Sequence, residues 1–476
     1  MQASKLPIEV CERIIGFLCP PIPLTSLEVF NDLFSTPEDY TERIWALYAS
    51  SLVCKPWVHR SQHHLFQRVE LCVTRRAHAF LDSVVRSPSI GRNVRLLAIC
   101  PNPPYFPYSR HVASSILEPW RDTPLKILPP HAAKREETSP RTESKTSSHQ
   151  RRQNNSKSHS PPPCHYNWVY EVLTALPPLL TNLSILDLMN LPALHPSFVC
   201  LVSRFTTIRT LRLYFVMSQS FREIIQVVNG LPQITTLHMY HCSWTRPAHF
   251  YPSKRLRLQI FYIKTLPDSP GLQWDVFNWM RSSQCLSTLR TLSFDDIRPS
   301  YIAHELRHEL CQCVNTLQYF SLSWGRPGNN PFNVLPSIDL LALEYLKLWN
   351  MESGYLRPLV DHLSRLSFPA LKYIYIGFTK TLDLVSTGAG WEDIDEVLAG
   401  NRFSQLRYFV ISTYSSPSSE RVLEDVRATF RKILPKSYKR GILVWDGTYL
   451  DQVLHITESK ISPFNLGEIT SSYLGY

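Results

Sequence analysis

The sequence is short of several things that would point to an enzyme. Glycine is scarce, at 15 of 476 residues, and neither GxGxxG nor GxxxxGK[ST] occurs. No phosphate-cradling loop can therefore be argued. The 11 cysteines are odd in number and spread over the whole chain, and no CxxC pair is present. That usage excludes a disulfide framework and fits free thiols in a reducing compartment. No run of 18 apolar residues occurs, so no transmembrane helix is expected. The first residues carry Glu9 and Glu12 among their apolar positions, which does not read as a signal peptide. The expectation is a soluble, intracellular protein of cytoplasm or nucleus, with no membrane partner. Charge is also sparse, at 19%. Of the +11 net excess, a share sits in residues 134–157, which hold seven basic against three acidic side chains. The remainder is spread thinly and gives no nucleic-acid face.

What the chain does have is apolar residues, 44%, and aromatic ones, 12%. That is enough for a substantial core. Residues 101–165 are the exception, including "KREETSPRTESKTSSHQRRQNNSKSHSPPP". Ordering such a stretch costs backbone entropy with no burial to offset it, so a disordered insertion is expected. Ser139-Pro140 and Ser160-Pro161 there fit proline-directed phosphorylation, and Lys134-Arg135 with Arg151-Arg152 resembles a split nuclear-import signal.

From residue 166 the chain repeats an apolar-x-x-apolar-x-apolar pattern. The copies are Leu183/Leu186/Leu188, Ile208/Leu211/Leu213, Ile234/Leu237/Met239, Leu258/Phe261/Ile263, Leu289/Leu292/Phe294, Leu317/Phe320/Leu322, Leu343/Leu346/Leu348, Leu371/Ile374/Ile376 and Leu406/Phe409/Ile411. Their middle positions step by 24 to 35 residues. Phe66/Val69/Leu71 and Val94/Leu97/Ile99 are earlier copies, and the long step from Leu97 to Leu186 is read as one or two repeats plus the insertion. Between the strand motifs lie helical patterns: "SFREIIQVVNGL", "WDVFNWMRSSQCL", "YIAHELRHELCQCV", "YLRPLVDHLSRL" and "WEDIDEVLAG". Strand and helix alternating in this way build an α/β solenoid, with a parallel sheet inside and helices outside. The repeat resembles degenerate leucine-rich repeats, whose Asn or Cys after the strand is matched here only by Cys242.

One helix contains "HELRH", residues 304–308, which fits HExxH. A zinc metallopeptidase through His304, Glu305 and His308 is thus a remote alternative. The third-ligand positions hold Cys311 and Val314, and the next glycine is Gly325. Seven residues of straight helix rise about 10.5 Å, too far for Cys311 to join a zinc needing ligands at about 2.0–2.3 Å. Ile302, Leu306, Leu310 and Val314 form an apolar stripe instead, so the stretch reads as a repeat helix with an outward polar side. No metal and no cofactor are expected.

The N-terminal region reads "LPIEVCERIIGFL", an insertion, then "LYASSLVCKPWVHRSQHHLF". Pro7 suits the first turn of a helix, and Val10, Ile14, Phe17 and Leu18 recur at helical spacing. A second helix is signalled by Thr36-Pro37, with Tyr40, Ile44, Leu47, Ser51 and Leu52 on one face. Two or three such helices carry more apolar surface than they can bury among themselves. The minimal role is a cap on the array. The region from residue 4 to 66 also resembles the F-box, through Leu6-Pro7-Ile8-Glu9-Val10 with Ile14 and Leu18, and through Ser51-Leu52-Val53-Cys54-Lys55-Pro56-Trp57. Its departure is residues 19–36, longer than the usual linker. The combination with repeats looks most like fungal F-box proteins.

That resemblance implies a substrate-recognition subunit. The F-box would dock a Skp-family adaptor, and through it a cullin–RING ubiquitin ligase, by Leu6, Pro7, Ile8, Ile14, Leu18, Leu52, Val53 and Trp57. The chain would have no catalytic residues and would contribute proximity. A protein substrate would bind the concave strand face, where side chains alternate with those of the core. The residues facing it are Arg212, Tyr214, His238, Tyr240, Tyr262, Lys264, Tyr345, Lys347, Trp349, Tyr373, Tyr375 and Tyr408, of which Tyr, Trp and Arg are the types enriched at binding hot spots. The alternative is a repeat scaffold with no ligase link. The domain reading is a helical module at 1–66, first repeats at 67–100, the insertion at 101–165, the solenoid at 166–450 and a tail at 451–476.

Overall fold

The computed structural model describes residues 45–52, 55–101, 167–191, 196–248, 255–264, 270–297, 299–324, 340–351, 353–378, 390–413 and 420–446, together with Val10, Arg13 and Ile15. The expected insertion at 101–165, except Pro101, and the tail at 451–476 lie outside these residues.

The described chain is an α/β array built on one parallel sheet. Its strands are β1 (Arg68–Leu71), β2 (Leu96–Ile99), β3 (Ile185–Met189), β4 (Thr210–Tyr214), β6 (Thr236–Tyr240), β8 (Ile260–Lys264), β9 (Thr291–Ile297), β10 (Tyr319–Trp324), β11 (Tyr345–Met351), β12 (Tyr373–Phe378), β13 (Tyr408–Thr413) and β14 (Leu443–Asp446). These twelve lie side by side in chain order. Two short strands, β5 (Met217–Ser220) and β7 (Ser243–Arg246), form a separate parallel pair.

The register follows the sequence repeat. Val69, Leu97, Leu186, Leu211, Leu237, Phe261, Leu292, Phe320, Leu346, Ile374 and Phe409 stand opposite one another strand by strand, and Leu443 continues the row. Each is an apolar side chain on the helix-covered face, and burying it is worth about 1.5–3 kcal/mol. A slip by one residue would turn the whole row to the other face, which fixes the register. Two expectations are refined. The long step from Leu97 to Leu186 is one strand spacing, because β2 pairs directly with β3. The repeats also extend past Phe409 to β14, a strand whose sequence lacks the full apolar triplet.

Helices cover one face: α1 (Lys55–Leu65), α2 (Thr74–Arg86), α3 (Pro88–Asn93), α4 (Asn167–Ala175), α5 (Pro196–Val202), α6 (Phe221–Gly230), α7 (Pro270–Ser282), α8 (Pro299–Gln312), α9 (Leu356–Arg365), α10 (Trp391–Ala399), α11 (Glu420–Ile433) and α12 (Pro435–Lys439). The apolar stripes of α2 to α11 pack on the strand row as one continuous core. In α9 the stripe is Leu356, Leu359, Val360 and Leu363, all buried, with Arg365 in the last turn where the helix dipole favours a cation. In α6, Glu223 in the first turn accepts hydrogen bonds from the Ser218 hydroxyl and the Gln219 N–H. Gly390 precedes α10 at φ +110°, a conformation that needs glycine. The buried Asp395 carboxylate accepts from the N–H groups of Lys436 and Ser437, at 2.8 and 2.7 Å, and so caps α12. Among the described residues no helix is long and apolar enough to cross a membrane.

Candidate functional site

The opposite face of the sheet carries no helix of the described core, and its side chains form their own clusters. Strand alternation places Arg212, His238, Tyr262, Lys347 and Tyr375 in one cross-strand row, one residue after the apolar row. Tyr214, Tyr240, Lys264 and Trp349 lie in a second row, two residues further on. Tyr345, Tyr373 and Tyr408 lie in a third, one residue before the apolar row. All twelve expected substrate-facing residues therefore share this face, in two groups. One spans β4, β6 and β8, the other β11 to β13. Between them, in the row one residue after the apolar one, β9 and β10 present small side chains, Ser293 and Ser321.

The first group is a closed polar cluster. Arg212 is 0% exposed, and His238 and Asp187 are each 2% exposed. Asp187 stands beside Arg212 on the neighbouring strand, Oδ2 lying 3.7 Å from the guanidinium. Tyr214 and Tyr240 stack face to face at 4.6 Å, and Tyr240 and Tyr262 meet at 4.8 Å. Burial holds the Asp187 carboxyl above its ordinary range, although Arg212 and Arg68 pull the other way. Burial, reinforced by the Arg212 charge, holds His238 well below its usual value and so neutral. Among the described residues, neither ring nitrogen of His238, nor the Tyr214 hydroxyl, nor Asp187 Oδ1 has a hydrogen-bond partner. Buried polar atoms in that state are costly, and a bound polar group or ordered water would relieve the cost. At the rim, Asp295 accepts from the Tyr262 hydroxyl at 3.2 Å and pairs with Lys264 at 3.3 Å.

The second group is aromatic. Tyr319, Tyr345, Tyr373 and Tyr408 run as a ladder with ring centroids 4.6, 5.7 and 5.1 Å apart. Stacking uses up the ring faces, and Tyr319 and Tyr345 are buried in the row. Tyr345 and Tyr375 are buried, whereas Tyr408 is exposed. Trp349 stacks on Tyr375 at 5.2 Å, and the Lys347 ammonium lies 5.2 Å from both rings. Trp349 also lies over Gly377 on the next strand, so closely that a Cβ there would meet Cζ3 of the indole at 2.6 Å.

The expectation that this face is an open surface needs correcting at six positions: Arg212, Tyr214, His238, Tyr240, Tyr345 and Tyr375 are all buried. Close strand spacing, about 4.8 Å, packs large side chains of adjacent strands against each other. Sequence reasoning also left out Asp187, Asp295 and Tyr319. The same alternation that flagged Arg212 and Tyr345 points to them, but weighting by hot-spot residue type passed over the acids.

In the N-terminal region Leu6, Pro7, Ile8, Ile14, Leu18 and Val53 lie outside the described residues. Leu52 is 71% exposed, and Trp57 on α1 is half-buried. Residues 45–52 are helical. Leu47 and Ser50 face inward, while Trp45 and Tyr48, 40% and 41% exposed, share the outward stripe with Leu52. Leu52 therefore does not lie on the Leu47 face, as the spacing had suggested. Trp45 and Tyr48 meet edge to face at 5.9 Å.

Around HExxH, the His304 and Glu305 side chains are outside the description. His308 is exposed and lies 3.3 Å from the next residue, Glu309. Glu309 is fully buried, and its Oε1 accepts from Arg281 of α7 at 2.6 and 3.0 Å. Among the described residues no three His, Cys, Asp or Glu side chains are grouped to hold a metal. Leu306 and Leu310 are buried as the stripe requires, but Glu309 on the same helix departs from a purely outward polar side.

The chain matches no protein-family model and no curated protein.

Proposed function

We propose that the protein is a non-catalytic substrate receptor of a Skp–cullin–F-box type ubiquitin ligase. The N-terminal helices dock a Skp-family adaptor, and the strand face of the array holds a protein substrate. The observation that carries this reading is the outward stripe of Trp45, Tyr48 and Leu52, immediately before α1 with Trp57. Large apolar side chains clustered on one exposed helix face mark an interaction site, and Trp and Tyr are the residues that dominate such sites. Leu52 belongs to both halves of the argument, as an F-box match and as the most exposed of these side chains. The margin of the tyrosine ladder supports the second half, since the exposed Tyr408 and the half-buried Tyr373, Trp349 and Lys347 offer aromatic surface and a cation on rigid strands.

The test is co-expression with a Skp-family adaptor, followed by affinity measurement. Trp45→Ala with Leu52→Ala is expected to weaken binding about 100-fold, two hot-spot losses of about 1.4 kcal/mol each. Val85→Ala, an exposed apolar residue on α2, serves as a control and is expected to change nothing. A folded chain that does not bind the adaptor would leave the module as a cap of a repeat scaffold.

A further inference from the structure

Cys72 and Cys100 end the first two strands of the sheet. Leu71 stands opposite Ile99 in the β1–β2 ladder, so the cysteines that follow are cross-strand neighbours, and the Cys100 N–H donates to the Leu71 carbonyl at 2.9 Å. Adjacent strands lie about 4.8 Å apart, inside the Cα separation of about 4.4–6.8 Å that a disulfide spans. The two side chains pack in one cluster with Met189 and Tyr214. Both are thiols in this structure. Asn190 Nδ2 donates to Cys100 Sγ at 3.7 Å, and the Cys72 thiol donates to Glu70 at 3.5 Å.

We propose that Cys72 and Cys100 are a modification site, a vicinal pair that closes a disulfide between β1 and β2 when the low-molecular-weight thiol pool is oxidised. Other described thiols are placed differently. Burial pushes Cys242 and Cys313 up to about 12 and Cys285 up to about 11, which keeps them protonated and inert. Cys200 is exposed and has no cysteine beside it among the described residues. Within the pair, the hydrogen bond between the two sulfurs holds Cys100 below its ordinary value and Cys72 above it, and the Asn190 amide adds to the lowering. Of the two, Cys100 gives up its proton the more readily.

With glutathione disulfide as oxidant the step balances. The half-buried Cys72 meets the reagent and passes its proton to the Cys100 thiolate as its own sulfur attacks, so the glutathione S–S bond breaks and a Cys72–glutathione mixed disulfide forms as one glutathione thiolate leaves. Cys100 gives its proton to that leaving thiolate and attacks the Cys72 sulfur. The second glutathione departs, and the protein has lost two electrons to the reagent. The bond ties the outermost described strand, which follows α1, to the rest of the sheet.

The experiment uses the full chain, reduced and then equilibrated at graded ratios of oxidised to reduced glutathione, quenched by alkylation and digested without reductant. Mass spectrometry is expected to find a peptide joining Cys72 to Cys100, formed at a ratio about tenfold lower than any other disulfide of the chain. Cys100→Ser is expected to stop at the mixed disulfide on Cys72, and Cys200→Ser to leave the pair unchanged. The proposal is overturned if both cysteines stay alkylatable at ratios that fully glutathionylate Cys200. It is equally overturned if Cys72 in the unmodified sequence stops at the mixed disulfide.

Discussion

At residue 238 a histidine sits 2% exposed and neutral between Arg212 and Tyr262 on the strand face. Protonating it requires opening its surroundings. His64 and His362, half-buried, are likewise lowered from 6.5 to about 4 by burial and by nearby cationic arginines. The sign follows from the direction: the unfolded chain takes up these protons near 6.5, the folded chain only lower. Stability is therefore full above pH 6.5 and is lost as pH falls from there toward 4, by at most about 1.4 kcal/mol per pH unit for each histidine. His64 and His362 give less, because they keep solvent contact. Urea midpoints from pH 7.5 to 4.5 would show the decline, and His238→Phe is expected to make it shallower. Asp187 works in the opposite direction, since its raised carboxyl takes up a proton more readily when folded. Gly377→Ala is the other residue-scale test. The added methyl drives Trp349 off Tyr375, so a loss of about 1–3 kcal/mol is expected, with a change in tryptophan fluorescence.

Among elements, α7 and α8 are joined by a pair that no periodicity announces. Glu309 is fully buried on the core side of α8 and is held by Arg281, whose guanidinium remains partly in water. Arg281→Met would remove the cation that holds the buried Glu309 carboxyl, and is expected to cost about 2–4 kcal/mol in thermal or urea unfolding. Arg281→Met combined with Glu309→Leu is expected to recover most of that loss. Elements of this kind show where sequence reading works and where it stops. Leu306 and Leu310 were legible because burial repeats at the helix period. Glu309 was not, because its burial depends on an arginine 28 positions away on another helix. The strand row from Val69 to Phe409 was legible for the same reason as the helix stripe, whereas β14 escaped because Leu443 lacks a full triplet. On the strand face alternation gave the correct side for all twelve residues. It could not give exposure, which depends on how large neighbours on adjacent strands fill the space between them. Asp187 and Asp295 needed partners to be seen as part of the site.

Across the described array, each of the twelve strands pairs with its neighbours in chain order, so stability is close to a sum of neighbour terms. Residues 102–166 lie between β2 and α4, yet β2 and β3 pair directly. Replacing most of that stretch by a short Gly-Ser linker is therefore expected to keep the sheet intact. Closing a several-fold shorter loop lowers the entropy cost by on the order of 1 kcal/mol, readable as a small rise in urea midpoint. The described sheet is open rather than closed into a ring, and it ends on β1 and β14. Of these, β1 has four residues, and Arg68 and Glu70 put charge on it. A short, charged margin makes a poor template for another copy of the same ladder. At its β1 end, a described array whose interior is a row of matched strands thereby offers little to seed growth into fibres.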